Sequence, residues 1–174
     1  MYNFTQDWFS HNIPIFDRFL SKFKNKKVKF LEIGAYEGRS AIWCLENILS
    51  KDSELVIVEP GYSINNTVLK ENLKSFTNYR LIEKPFEYAC KKLLWEEFDF
   101  IYVDGSHSQY DCYLNCVVCF DMLKFGGIMA IDDYEWNLFD QDGTRPKEAV
   151  DKFLQNIDVK LLHKEYQVWI TKYL

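Results

Sequence analysis

The sequence predicts an α/β fold, a parallel sheet covered by helices on both faces. Three observations carry this. Short apolar runs bounded by turn residues alternate with stretches of helical period along nearly the whole chain. Several of those runs stop abruptly at an acidic residue or a glycine, as strands do where they deliver groups to a ligand crevice. At 174 residues with 48% hydrophobic side chains, the chain is the size of one domain that can form a core without staples.

The elements follow in order. NIPIFDRFLSKF, Asn12 to Phe23, reads as an amphipathic helix with Pro14 tolerated in its first turn. Residues 1–26 are expected to form a helical cap segment on a core spanning 27–174. The basic connector KNKK leads into the strand VKFLEIG, followed by a helix from Arg39 to about Leu49. The strand LVIVEP, Leu55 to Pro60, precedes a polar helix from about Ser63 to Phe76 and a strand YRLIE near Tyr79. A short helix after Pro85 ends near Leu94, and the strand FDFIYVD follows. The helix YDCYLNCVVCFDML leads to LKFGGIMAIDDY, where Gly126-Gly127 turns the chain into a strand. Glu135 to Arg145 form a polar loop, Pro146 starts a helix to about Gln155, and VKLLHK and YQVWITK close the chain as a strand pair.

Composition excludes several classes. A net charge of -5 argues against a protein that works by neutralising nucleic-acid phosphates. No apolar run reaches the roughly 20 residues needed to span a bilayer, so no membrane partner is expected. The opening MYNFTQDWFSHNIP shows no basic n-region followed by an apolar h-region. With an odd cysteine count, this leads us to expect a reducing, cytoplasmic setting. Cys112, Cys116 and Cys119 match the C-x3-C-x2-C spacing of an iron–sulfur motif. They also fall on the inward stripe of an amphipathic helix, with no Gly or Pro to open a metal loop, and we read them as core.

Two strand ends carry the chemistry. IYVDGSH places Asp104 and His107 three residues apart, and MAIDDY ends on Asp132 and Asp133. If these strands are neighbours, three carboxylates and an imidazole converge, a combination suited to a hard divalent metal with a base beside it. Bland alternatives stand beside this reading. Asp104, Ser106 or Ser108 can cap the following helix. Adjacent strand residues face opposite sides, so one of Asp132 and Asp133 can point away. The acids can serve a metal-free site, and His107 can be structural. His11 and His163 lack such a context and are expected at the surface or in packing.

The first strand carries the second signal. LEIGAYEGRS sets Glu32, Gly34 and Gly38 around a strand-to-helix turn where the backbone must bend and admit a ligand. The middle glycine of the dinucleotide fingerprint is missing, which disfavours an NAD domain. An acid two residues before the first glycine suits a positively charged ligand end. Glu59 ends the second strand, where a carboxylate can accept both hydroxyls of a ribose. Together these point to a bound nucleoside.

From about Val28 to the end, the chain resembles the class I S-adenosylmethionine-dependent methyltransferases. LEIGAYEGRS matches the family's glycine-rich motif, LVIVEP the second motif, FDFIYVDGSH the fourth-strand motif, and LKFGGIMAIDDY the entry to strand five. In particular it resembles small metal-dependent O-methyltransferases with a D-x-x-H and D-D pair, such as those that methylate macrolide sugars. The resemblance implies a Rossmann-like seven-stranded sheet of order 3-2-1-4-5-7-6 with strand seven antiparallel. It implies S-adenosyl-L-methionine as cofactor, with Glu32, Gly34, Ala35, Tyr36, Gly38 and Ser40 around its methionine part. Glu59 and Pro60 would hold the ribose, Phe86 and Asp104 would complete the cofactor site, and Asp104, Asp132 and Asp133 would ligate Mg²⁺ or Mn²⁺. The third motif departs from the family, with Lys84-Pro85-Phe86 after strand three where relatives often have G-D-S.

Catechol-type relatives place a lysine where this chain has His107, and an aspartate–asparagine pair where it has Asp132-Asp133. An imidazole is suited to take a proton near neutral pH. The expected activity is therefore O-methylation of a sugar or glycan hydroxyl, with Asp104 and His107 at the reacting end. A catechol-like acceptor and a non-catalytic nucleoside-binding module are the rivals. Trp8, Phe9, Tyr134 and Trp136 are candidates for the crevice mouth, where rings can face a sugar. A neighbouring copy of the chain, in a homo-oligomer, can complete the pocket.

Overall fold

The computed structural model of the chain describes residues 2–61, 65–136 and 145–173. Six helices and seven strands follow the expected alternation. In chain order they are α1 (Ile13–Leu20), β1 (Lys29–Ile33), α2 (Arg39–Asn47), β2 (Glu54–Val58), α3 (Asn65–Leu73), β3 (Tyr79–Ile82), α4 (Phe86–Leu93), β4 (Phe98–Val103), α5 (Gln109–Met122), β5 (Leu123–Ile131), α6 (Pro146–Gln155), β6 (Lys160–Lys164) and β7 (Val168–Thr171). The sheet order is β3-β2-β1-β4-β5-β7-β6, with β7 antiparallel to both neighbours. The expected helix start at Ser63 falls outside the described residues, as does most of the Glu135–Arg145 loop, residues 137–144.

The inner strands carry near-continuous apolar runs because both faces of the sheet are covered. One face packs against α4, α5 and α6, where Cys112, Cys116 and Cys119 are buried beside Phe86, Ala89 and Phe153. All five cysteines are free thiols, and the three on α5 are core. The other face centres on Phe16 of α1, fully buried, whose ring meets Tyr102, Phe100, Trp43 and Trp169 edge-on. Edge-to-face contact between rings is the favoured geometry. It fastens α1 to β4 and β7. Among the described residues no helix is long and apolar enough to cross a membrane.

Two details differ from expectation. The predicted single helix Asn12 to Phe23 is an eight-residue α-helix flanked by 3₁₀ turns at Ser10–Asn12 and Ser21–Phe23. Strand β5 begins at Leu123, before the glycines, and its pairing with β4 shifts register between Phe98 and Phe100. Gly126, at φ 76°, donates its N–H to the Lys172 carbonyl, so the glycines kink the strand and do not start it.

The N-terminal segment crosses the start of α2. Thr5 donates its backbone N–H (2.6 Å) and hydroxyl (2.7 Å) to the Glu37 carboxylate. Asn3 and Asn72 exchange hydrogen bonds, Asn72 also donates to the Glu37 carbonyl, and Arg39 lies 4.1 Å over the Phe4 ring. These bonds set Trp8 against Tyr36, ring centroids 5.0 Å apart, at the mouth of the crevice.

Candidate active site

The turn between β1 and α2 is shaped by its backbone. Gly34, Tyr36 and Gly38 have φ of 81°, 51° and 86°, three left-handed residues within five. A Cβ on Gly34 would stand 1.8 Å from the Asp104 carbonyl oxygen, so only glycine lets the turn lie against the end of β4. Glu59 folds back from β2, and its Oε2 accepts the N–H groups of Ala35 (2.8 Å) and Tyr36 (3.0 Å). Burial raises the Glu59 carboxyl above its usual range, and the two N–H bonds pull the other way. Its Oε1 has no partner among the described residues and Glu59 faces the crevice, so one oxygen holds the loop and the other is open to a ligand.

Glu32 sits behind this turn. It is 3% exposed and accepts a hydrogen bond from the Ser40 hydroxyl. Burial pushes its carboxyl up to about 8 despite that bond, and the nearby Glu59 charge adds to the rise. Glu32, Ala35, Gly38 and Ser40 support the loop without lining the crevice, whereas Gly34, Tyr36, Glu59, Pro60 and Phe86 do line it.

Strands β4 and β5 are parallel neighbours with Val103 opposite Ile131, which brings the two acidic ends together. Asp104 follows β4, and the Asp132 N–H donates to the Val103 carbonyl at 2.9 Å. Consecutive strand residues would face opposite ways. Asp133 instead adopts φ 56°, and both Asp132 and Asp133 face the crevice. Ser108 caps α5 by accepting from the Asp111 N–H, which leaves Asp104 free of that duty.

A dense bond set arranges these acids. The Tyr102 hydroxyl and Gln167 Nε2 donate to Asp132 Oδ2, the latter at 3.0 Å, and the Asp133 N–H donates to Asp132 Oδ1 at 2.8 Å. Asp133 Oδ2 lies 2.7 Å from His107 Nε2, and Asp133 Oδ1 accepts from the Tyr166 hydroxyl at 2.9 Å. The Trp136 ring packs on the His107 ring, centroids 4.2 Å apart. Burial, then the charges of Asp132, Asp133 and Glu32, hold the Asp104 carboxyl well above the usual range. Burial likewise raises Asp132, opposed by the Tyr102 bond.

Both clusters open into one cavity of about 1160 Å³. Val58, Glu59, Pro60, Pro85, Phe86 and Asn115 line it together with Trp8, His11, Tyr36, His107, Trp136 and Tyr166. His11, expected at the surface or in packing, thus stands at the crevice. Tyr166, Gln167 and Asn115 had no expected role, because the bonds they make or the cavity they face are set by elements far away in sequence. Phe9 and Tyr134, candidates for the mouth, are buried in the core instead, at 6% and 2% exposure.

Glu59, Glu87, Asp104, Asp111, Asp132 and Asp133 line the cavity, and no lysine or arginine does among the described residues. Such a wall suits a cationic ligand. Hard carboxylate oxygens crowded enough to raise one another's pKa also fit a hard divalent cation in kind. As the side chains stand, no three His, Cys, Asp or Glu groups among the described residues are disposed to hold one ion together. The oxygens of Asp132 and Asp133 are engaged by Tyr102, Gln167, Tyr166, His107 and a backbone N–H.

A family described as a methyltransferase domain matches residues 31–134, from within β1 to just past the Asp132-Asp133 pair. The chain belongs to this family. The methyltransferase domain is 24% identical over 157 residues to the O-methyltransferase ankF of Aspergillus thermomutatus, covering 83% of the chain. It spans 62% of that relative's length. Among solved structures it is similar to SAH-bound methyltransferase PaMTH1 of Podospora anserina, with TM-score 0.64, 27% identity and coverage of 84% of this chain and 71% of that one. The O-methyltransferase from Bacillus cereus in complex with SAH gives TM-score 0.71 at 16% identity, covering 97% and 84%. MycE in complex with Mg, SAH and Mycinamycin VI gives 0.71 at 15% identity, covering 97% of this methyltransferase domain and 51% of MycE. The last two likenesses speak for the fold.

Proposed function

We propose that the chain transfers a methyl group from S-adenosylmethionine to a hydroxyl oxygen of a sugar or glycan, with a divalent metal ion assisting. The observation that carries this reading is the single cavity that joins Glu59 to His107 along a wall with six carboxylates and no lysine or arginine among the described residues. A dinucleotide would bring an anionic pyrophosphate to that wall, whereas S-adenosylmethionine brings a sulfonium and an ammonium. In this reading the open Glu59 oxygen would accept ribose hydroxyls, and the methionine part would lie against the Gly34 turn.

His107 is the base in this reading. With the Nε2 proton shared with Asp133, Nδ1 is left to accept the proton of an acceptor hydroxyl. Asp133 then stabilises the imidazolium, and Tyr166 holds Asp133 in line. Asp104, Asp132 and Asp133 are the residues that would hold the metal once their side chains turned to it, and it would supply Lewis-acid activation of an acceptor oxygen. The likeness to MycE, solved with Mg, supports the metal. The change from a lysine to His107, and the rings of Trp8, Tyr36 and Trp136 at the acceptor end, support a sugar.

Isothermal titration with S-adenosylhomocysteine and a methyl-release assay on diol sugars and on catechol, each with and without EDTA, test the proposal. Binding, sugar turnover and loss of turnover in EDTA are expected. His107→Ala should keep the binding and lose about 100- to 10,000-fold in turnover. EDTA-insensitive turnover would sink the metal, turnover on catechol alone would sink the sugar, and binding without turnover on any acceptor would leave a nucleoside-binding module.

A further inference from the structure

Helix α5 buries the stripe Cys112, Asn115, Cys116, Cys119 and Met122. Asn115 is the one amide in it, 6% exposed, and it lines the cavity. A Cβ added to Gly105 would stand 3.5 Å from Asn115 Nδ2, so the amide lies directly under the residue that follows Asp104. No side-chain hydrogen bond engages Asn115 among the described residues, although its neighbours Ser106, Ser108 and Asp111 all bond one another. Buried side-chain amides are as a rule paired. This one has no such bond among the described residues and faces a cavity that Val58, Pro60, Pro85 and Phe86 also line, apolar groups suited to the faces of a flat ring.

We propose that Asn115 reads the adenine of the methyl donor. A side-chain amide presents one donor and one acceptor side by side. That pair complements the 6-amino group of adenine and the ring nitrogen next to it. The apolar walls hold the ring and Asn115 checks its edge. This rests on the proposed function and deepens it, because it assigns base specificity to α5, while the side chains of Pro85 and Phe86 after β3 offer the ring apolar contact.

The test is titration calorimetry on the full chain with S-adenosylhomocysteine and with its analogue in which hydrogen replaces the 6-amino group. The wild type should bind the analogue about 10- to 100-fold more weakly, the worth of one bidentate pair. Asn115→Ala and Asn115→Leu should bind S-adenosylhomocysteine that much more weakly and no longer discriminate, with circular dichroism melts reporting that each folds. Equal wild-type affinity for the two ligands, or discrimination that survives both substitutions, overturns the assignment. Because the first comparison needs no variant, it decides even if neither substitution folds. A wild type that binds no S-adenosylhomocysteine overturns the proposed function itself, and the role of Asn115 with it.

Discussion

The two ends of the cavity are built by different means. Around Glu59 the shape comes from backbone: three left-handed residues, a glycine pressed against a neighbouring carbonyl, and a carboxylate gripping two N–H groups. Around His107 the shape comes from side chains bonded to side chains, with Tyr102, Gln167 and Tyr166 holding Asp132 and Asp133, and Asp133 holding His107. A backbone-built site has few ways to change and fails as a whole. A side-chain-built site can lose one bond at a time and so can change in steps.

The largest effect should come from breaking the backbone-built end. Gly34→Ala would drive a methyl group into the Asp104 carbonyl in a backbone region that L-residues avoid. Thermal unfolding should show a loss of about 3 kcal/mol or more, a fall in Tm of about 10 °C. Calorimetry should show no S-adenosylhomocysteine binding.

A middle-sized effect should come from Glu32, which lies beneath that turn. Its folded pKa of about 8 exceeds the ordinary 4.5, so between those values the folded chain holds a proton that the unfolded chain has released. Stability from this group is therefore full below pH 4.5, falls as pH rises, and levels off above 8, with a slope of up to about 1.4 kcal/mol per unit. Glu32→Gln should flatten this part of the pH dependence, so the variant gains on the wild type from pH 5 to 8 in urea unfolding. A difference between the two that stays constant with pH would refute the raised pKa.

The smallest effect belongs to the side-chain-built end. Tyr166→Phe removes the hydroxyl that burial keeps protonated and that fixes Asp133. With one of several bonds gone, kcat should fall about three- to tenfold, with Tm and S-adenosylhomocysteine affinity unchanged. A fall as large as that of His107→Ala would mean that the acceptor end also fails as a whole.

The same division explains what could be read in the sequence. The alternation of strands and helices, the glycine turn, Glu59 and the two acidic strand ends were legible, because period, glycine spacing and strand termini are local signals, whereas the strand order came from the family resemblance. Glu32 and Ser40 were expected around the methionine part of the cofactor, and spacing alone does not say that they lie behind the wall. That both Asp132 and Asp133 face inward depends on one left-handed residue at 133, which the alternation of a strand does not foretell. Tyr166 and Gln167 reach the acids from the turn between β6 and β7, which lies beside β5 only once the sheet has closed. Asn115 was hidden by its setting, a single amide inside a run of cysteines and other apolar residues that reads as core.

The acid-lined wall bears on how the reaction would end. In the proposed reaction the methyl donor would enter carrying a sulfonium charge, and the spent cofactor would be a neutral thioether. The carboxylates that attracted the first have less hold on the second, and their mutual repulsion, partly quenched while the cation was present, returns. The cavity would thus bind what it consumes more firmly than what it makes, and release of the spent donor is favoured by the same charges that drew it in.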